Sequence, residues 1–209
     1  MPDLSHLLAF AAIALGMVLT PGPNMIYLVS RSICQGRMAG LISLFGVALG
    51  FVLYMLCAAT GITAIVVAVP YAYDALRLAG ALYLLWLAWQ AVRPGGQTPF
   101  QLRELAPDSP RRLFAMGLVT NLLNPKIAVM YLSLLPQFVE PGHGSVLAQS
   151  LVLGAVQIAI SVTVNALIVL GAGGIALFLA RRPVWARVQR WLMGTVLAAL
   201  ALRLLTDRR

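Results

Sequence analysis

The segment TPGPN, at residues 20–24, interrupts a long apolar stretch near the start of the chain. Proline lacks a backbone N–H and clashes with the preceding turn of a helix, so no regular helix passes unbroken through Pro21 and Pro23. Apolar residues nevertheless continue on both sides, at 7–19 and 25–29. The sequence therefore predicts a helix that stops and restarts inside a membrane, where irregular backbone has to be buried in protein or line a polar cavity.

Composition places the rest of the chain in the membrane as well. The 209 residues are 61% hydrophobic and 10% charged, with a mean hydropathy of +0.90. A single soluble core cannot bury that much apolar surface. About 20 apolar residues cross the hydrocarbon layer of a bilayer, and several stretches are long enough to do so. The six predicted spans are residues 4–30, 40–69, 75–92, 113–138, 146–180 and 185–205.

The six predicted spans form two similar halves, each headed by a proline-broken helix. The segment NPK at 124–126, in the fourth span, echoes the break in the first. Three helices per half is an odd number, so the second half has to enter the membrane inverted relative to the first. We therefore expect an all-α membrane protein with six transmembrane helices as two inverted three-helix repeats, at 1–93 and 112–209, joined by a loop at 94–111. This organisation is typical of secondary transporters with a site near the midplane.

The paired breaks predict that site. Pro23 and Pro125 suit the first position of a helix, and Asn124 suits the cap before it. Each restarted helix would point its N-terminus, with a positive dipole and unpaired N–H groups, at the interior, where a substrate carboxylate could bind. The alternative is that the prolines only kink two helices for packing. The matched pair favours a binding site, whose candidate residues are Pro21, Gly22, Pro23, Asn24, Asn124 and Pro125.

Lys126 adds the only formal charge that lies well inside a predicted span. An ammonium at that depth costs ~2.5 kcal/mol or more on insertion scales, so it has to face the interior and find a partner. We expect Lys126 to bind the substrate carboxylate or to exchange a proton during transport. The alternative is that it bonds only carbonyl oxygens that the break sets free.

Small and polar residues form matching stripes on the second and fifth spans. At a constant offset of 111 residues, Gly46 corresponds to Gln157, Gly50 to Ser161 and Tyr54 to Asn165. Close helix packing explains the glycines. The amides of Gln157 and Asn165 either bond neighbouring helices or contact the substrate, and the sequence favours neither interpretation. Tyr54, Gln157 and Asn165 complete the set of candidate binding residues.

Other kinds of chemistry have no candidates. His6 and His143 lie at the edges of different spans and form no ligand pair, so we expect no metal site. The sequence has no HExxH, GxSxG or Walker motif, so we expect neither an enzyme nor a cofactor. The net charge of +9 comes from arginines in short connections, where they anchor helices, so nucleic acid is not an expected partner.

Five segments, in their order and spacing, carry a resemblance to a known family. They are TPGPN at 20–24, GVALGFVLYMLCAATGI at 46–62, LAGALYLLWLAWQAVR at 78–93, NLLNPKIAVMYLSLLPQF at 121–138 and WLMGTVLAALALRLL at 191–205. Over nearly its whole length the chain resembles the LysE/RhtB family of bacterial amino-acid exporters. The resemblance implies efflux of amino acids or their derivatives across the bacterial inner membrane, driven by the proton motive force, with functional weight at both breaks and Lys126. It does not identify the substrate.

The expected partners follow from that function. They are a small-molecule substrate, the lipid bilayer and protons as the coupling ion, and a homo-oligomer is compatible with the sequence. The alternative is a passive channel or a structural membrane protein. A channel would favour polar lining along several spans, whereas polar groups here concentrate around two breaks. An intramembrane enzyme would need a nucleophile and a base at workable spacing, which the chain lacks.

Arginine placement predicts the orientation in the membrane. Ten arginines fall in connections on one side and four on the other. Because positive connections stay in the cytoplasm, both termini are expected outside. A reporter fused after Arg103 should therefore behave as cytoplasmic, and one fused at the C-terminus as external. Finding each reporter in the opposite compartment would contradict this topology without affecting the inverted repeat.

Overall fold

The computed structural model describes an all-helical chain. It covers residues 2–20, 22–68, 107–140, 142–181 and 183–206, together with 78, 81–82, 85–86, 88–89 and 92–93, and no strand occurs among them. The helices are α1 (Leu4–Leu19), α2 (Pro23–Gln35), α3 (Arg37–Ala68), α4 (Pro110–Leu122), α5 (Pro125–Val129), α6 (Val146–Arg181) and α7 (Pro183–Thr206). A π-helical turn at Met130–Leu134 and a 3₁₀ turn at Leu135–Phe138 continue α5.

Both predicted breaks are confirmed. The axis bends by 52° between α1 and α2, and by 50° between α4 and the segment that begins with α5. Pro23 and Pro125 each begin a new helix, as their fixed φ and missing N–H favour. The side chain of Asn124 caps α5 by accepting the Lys126 N–H at 3.1 Å. Gly22, the corresponding cap of α2, has no side chain to do this.

The two broken helices run antiparallel. At one face, Arg31 near the end of α2 pairs with Asp108, just before α4. At the other face, Nδ1 of His6 at the start of α1 lies 2.8 Å from Oε1 of Glu140, just beyond the 3₁₀ turn. The end of each broken helix therefore meets the start of the other. An odd number of helices per half requires this relation.

By length and composition, two of the described helices could cross a membrane by themselves, within Arg37–Gly61 and Val146–Ala172. Up to four spans result if each bent pair of helices counts as one span. The predicted third span, 75–92, lies mostly outside the described residues. Helix α7 occupies the predicted sixth span but is not among these four. The arrangement of six spans in two inverted repeats therefore stays a prediction.

Many large apolar side chains lie on the outer surface and several polar side chains lie in the interior, which is the reverse of a soluble protein. On α3, Phe45 is 69% exposed, and other large apolar residues share the outer surface. Ser43, Asn121 and Gln149, by contrast, are completely buried. Lipid solvates the apolar exterior, while polar groups hydrogen-bond only inside the protein. The distribution agrees with the membrane location expected from composition.

Helices α3 and α4 touch backbone to backbone through two glycines. A Cβ built on Gly46 would lie 2.0 Å from the carbonyl oxygen of Phe114, and one on Gly117 would lie 2.1 Å from that of Ser43. No side chain fits at either position. The packing interpretation of Gly46 is therefore confirmed, and this contact fixes α4 before the second break.

A polar cluster ties α2 to the start of α4 at the face where both lie. The carboxylate of Asp108 accepts hydrogen bonds from Gln35 at 3.0 Å and from Arg31, and pairs with Arg112 at 3.1 Å. The hydrogen bond from Gln35 contributes most to a pKa of Asp108 below its usual value, with the charges of Arg112 and Arg31 adding to it. The ionised carboxylate is thus the form that joins the two halves.

Substitution of the contact glycine should destabilise the fold. Gly46→Ala forces its Cβ into the α4 backbone, which we expect to lower the free energy of unfolding by about 1–3 kcal/mol. Gly61→Ala is the matched control, because on the same helix no described residue lies within 4 Å of a Cβ built on Gly61. The control should be neutral or slightly stabilising, as alanine favours the helix. Thermal unfolding of the purified proteins in detergent measures both, and equal effects would contradict the packing assignment.

Candidate functional site

A cavity lies where the two helix breaks meet. The space between its atoms, counting the part that opens to solvent, is about 420 Å³. The end of α1, the start of α2 and helices α3, α5 and α6 all contribute to its wall. Six of the residues expected from the sequence line it: Gly22, Asn24, Asn124, Lys126, Gln157 and Asn165.

Lys126 joins one break to the other. Its side chain is 5% exposed, and its Nζ donates a hydrogen bond of 2.6 Å to the carbonyl oxygen of Thr20 at the end of α1. A Cβ on Gly22 would lie 3.2 Å from Cδ of Lys126, so the glycine leaves room for the lysine stem. The ammonium thus donates to a carbonyl oxygen that a helix break leaves without a helical partner. That break is the one in the first span, whereas Lys126 itself lies at the second break. Its other two N–H groups have no partner among the described residues.

The side chain of Asn24 is a buried polar group of the cavity wall that lacks hydrogen-bond partners. It is 6% exposed and lines the cavity, yet neither Nδ2 nor Oδ1 has a hydrogen-bond partner among the described residues. A buried amide without partners costs about 1–3 kcal/mol for each unsatisfied group. Because Gly22 supplies no capping side chain, the N-terminus of α2 also offers its backbone N–H groups nearby. A bound carboxylate would accept from Nδ2 of Asn24 and from these N–H groups, whereas Oδ1 of Asn24 would still need a donor.

The wall formed by α6 carries three oriented polar groups. The hydroxyl of Tyr131 donates to Oε1 of Gln157, whose Nε2 donates to Oγ of Ser161 at 2.8 Å. Nδ2 of Asn165 donates to the carbonyl oxygen of Ser161 at 2.8 Å. The amides therefore hold a fixed orientation through bonds within the protein. They line the cavity at the same time, so a structural role and a binding role are compatible here.

Three of the described candidate residues do not line the cavity. Tyr54 stacks on Tyr131, with 5.8 Å between ring centroids, and donates its hydroxyl to the carbonyl oxygen of Leu122 at 2.8 Å. It satisfies the end of α4 and stands behind the cavity wall. Pro23 and Pro125 set where helices begin, and Pro21 lies outside the described residues.

Sequence reasoning missed two important contributors. The Thr20 carbonyl accepts the lysine, although nothing in the side chain of Thr20 indicates that role. Tyr131 orients Gln157 from a completely buried position, yet an aromatic residue in an apolar run resembles ordinary core. Its hydroxyl could have been noticed, because a buried tyrosine O–H usually needs a partner.

Three titratable side chains meet at the opposite face from Asp108. Nδ1 of His6 and Nδ1 of His143 each lie 2.8 Å from an oxygen of Glu140. The sequence placed the two histidines at separate span edges, and the fold brings them to one carboxylate. Within the described part of the chain, no group of three or more histidine, cysteine, aspartate or glutamate residues is arranged to hold a metal ion.

Comparison with known proteins gives one family and several relatives. The sequence profile of the LysE type translocator family matches residues 15–208. An uncharacterised membrane protein of Pseudomonas aeruginosa is 31% identical over 134 residues, 61% of each chain. The homoserine/homoserine lactone efflux protein of Salmonella typhimurium is 33% identical over 147 residues, 70% of each chain. The leucine efflux protein of an Enterobacter species is 26% identical over 198 residues, 90% of this chain and 89% of that protein.

No solved structure matches the chain. The profile match nevertheless extends from the last turns of α1 to beyond the end of α7, and so includes both breaks and Lys126. Because that match takes in far more than half of the sequence, the chain belongs to the LysE type translocator family.

Proposed function

We propose that this protein is a secondary transporter that exports amino acids, or closely related metabolites with a carboxylate, across the bacterial inner membrane, driven by the proton motive force. Family membership and relatives named as efflux proteins for homoserine, its lactone and leucine support the proposal. The observation that carries it is the buried ammonium of Lys126, which lies in a cavity between two helix breaks.

The substrate carboxylate would bind between Lys126 and the N-terminus of α2. Two N–H groups of the ammonium remain for it, beside the bond to Thr20. The side chain of Asn24 would gain the partner that it lacks. Hydrogen bonds to charged groups are about twice as strong as those between neutral groups, and a helix N-terminus favours an anion. Asn124, Gln157 and Asn165, which also line the cavity, would complete the binding site.

Transport would proceed by alternating access around this fixed site. In the proposed architecture, repeats 1–93 and 112–209 rock against each other, with the loop 94–111 between them. The antiparallel course of the broken helices supports an inverted relation. Polar contacts at each face, Arg31 with Asp108 and His6 with Glu140, would open in turn. Water can replace the partly exposed His6–Glu140 contact at small cost in free energy. Arg31 and Asp108 are only 12% and 8% exposed, so opening that face would require new partners for both charges.

Proton coupling is assigned to the same cavity. Lys126 is the one ionisable side chain among the described residues that line it. If the ammonium gives up its proton when the substrate leaves, the empty carrier returns in a different charge state from the loaded one. That difference couples the proton gradient to export, since a buried charge is costly unless it is paired.

Export should depend on the proton gradient. Cells that express the protein should tolerate higher external loads of an amino acid, a homoserine-like compound or a dipeptide, and a protonophore should abolish that tolerance. Intracellular accumulation of the labelled compound is the measurement, with an empty vector as control. Export that continues unchanged after the gradient collapses would contradict proton coupling and favour a passive channel.

Replacement of Lys126 should remove binding. Lys126→Met keeps the apolar stem and deletes the charge, so about 1.5–3 kcal/mol of charged hydrogen bonding is lost, and affinity should fall roughly tenfold to a hundredfold. Lys126→Arg should restore binding only in part, because a planar guanidinium places its donors differently. Ligand affinity per folded molecule and thermal stability are measured on the same purified protein.

The control for this experiment is Arg112→Met, which removes a cation at the exposed face. It should leave ligand affinity unchanged. A Lys126→Met protein that is destabilised but binds as tightly as the original would show that the lysine only satisfies the Thr20 carbonyl. In that case the recognition role is eliminated.

A further inference from the structure

The cavity contains a single formal charge. Lys126 is cationic, and no carboxylate occurs among the described residues of the wall. The remaining polar groups are the amides and hydroxyls already described. The rest of the wall is apolar and includes Met17, Met25, Phe51 and Met130.

The described carboxylates of the chain are all engaged elsewhere. Asp3 accepts a hydrogen bond from Ser5 at the start of α1. Asp108 and Glu140 form the clusters at opposite faces. The other three acidic residues, Asp74, Glu104 and Asp207, lie outside the described residues. No described carboxylate is therefore available to a second cationic group inside the cavity.

This charge pattern discriminates between substrates. A zwitterionic amino acid brings one carboxylate for Lys126 and one ammonium, which amide oxygens can accept. Oδ1 of Asn24 has no partner, and Asn165 uses only its Nδ2 in the hydrogen bond to Ser161. A cationic side chain would bring a further positive charge close to Lys126, in a place of low dielectric. An unpaired charge there is costly, and repulsion between two cations adds to the cost.

We propose that the cavity selects amino acids with one carboxylate and an uncharged side chain, and that it rejects cationic amino acids because the described part of its wall has no carboxylate. The selectivity rests on the proposed function and names the substrate class of that site. Apolar methionine and phenylalanine side chains contact the substrate side chain. Methionine is flexible and polarizable, so this part of the wall accommodates side chains of different shape.

Gln157 is the position where the selectivity can be reversed. Its Oε1 accepts from the Tyr131 hydroxyl, and its Nε2 donates to the Ser161 hydroxyl. Both partners are hydroxyls, so each can donate to a carboxylate once the Ser161 hydrogen rotates. Gln157→Glu therefore introduces a negative charge into the cavity wall with nearly unchanged shape and without leaving either partner unpaired.

The test uses the full-length protein in proteoliposomes with an imposed proton gradient, and compares radiolabelled leucine, homoserine and lysine. The original protein should transport leucine or homoserine at least about tenfold faster than lysine. Gln157→Glu should raise the ratio of lysine to leucine transport by about tenfold or more. The control outside the cavity is Gln137→Glu, which adds the same charge but loses the hydrogen bond to the carbonyl oxygen of Ser133, so its thermal stability is measured as well. It should leave the ratio unchanged.

The outcomes separate this inference from the proposed function. If the original protein transports lysine as fast as leucine, the selectivity is wrong and the exporter function stands. If none of the three compounds is transported, the exporter function fails, and the selectivity with it. A folded Gln157→Glu protein whose ratio does not change would also overturn the inference. Asn165→Asp is tested in parallel. It also places a carboxylate in the cavity wall, so the test still works if one of the two variants folds poorly.

Discussion

The hydrogen bond between Nζ of Lys126 and the Thr20 carbonyl holds together the two interrupted helices of this protein. Each break creates a problem in a lipid environment, because one leaves a carbonyl oxygen without a helical partner and the other buries an ammonium. The 2.6 Å hydrogen bond gives the carbonyl oxygen a donor and gives the ammonium an acceptor. Gly22 gives the lysine stem room, since a Cβ there would lie 3.2 Å from Cδ of Lys126. The cavity that contains Lys126 thus lies where both breaks meet.

The helices around this bond hold the breaks in register. Backbone contact through Gly46 and Gly117 fixes α4 against α3, and the second break follows α4 directly. On the opposite wall, Tyr131 orients the amide of Gln157 by a hydrogen bond from a completely buried hydroxyl. Since lipid offers no hydrophobic force between helices, close packing and internal hydrogen bonds supply this rigidity. The amides of Gln157 and Asn165 thus hold a fixed orientation in the cavity wall.

The described carboxylates lie near the ends of the two broken helices. There they pair with arginine or histidine, as Asp108 does with Arg31 and Glu140 with His6. Between these ends, the described cavity wall holds one basic side chain and neutral amides. The partly exposed His6–Glu140 contact can be broken at small free-energy cost, whereas the more buried Arg31–Asp108 pair and a charge in the cavity need new partners when theirs are lost. This contrast supports the proposed export cycle, in which the faces would open and Lys126 would recognise the cargo.

The sequence by itself determined the features that depend on neighbouring residues. Proline removes its own N–H and asparagine caps the next turn, so both breaks and the start of α5 follow from local chemistry. A lysine amid apolar residues likewise had to face inward. Only the tertiary structure decided that Lys126 bonds Thr20, that Tyr131 orients Gln157, that Tyr54 stands behind the wall, and that two histidines share Glu140. These contacts join different helices, and their partners depend on how far each helix is rotated and shifted against the next, which no local pattern specifies.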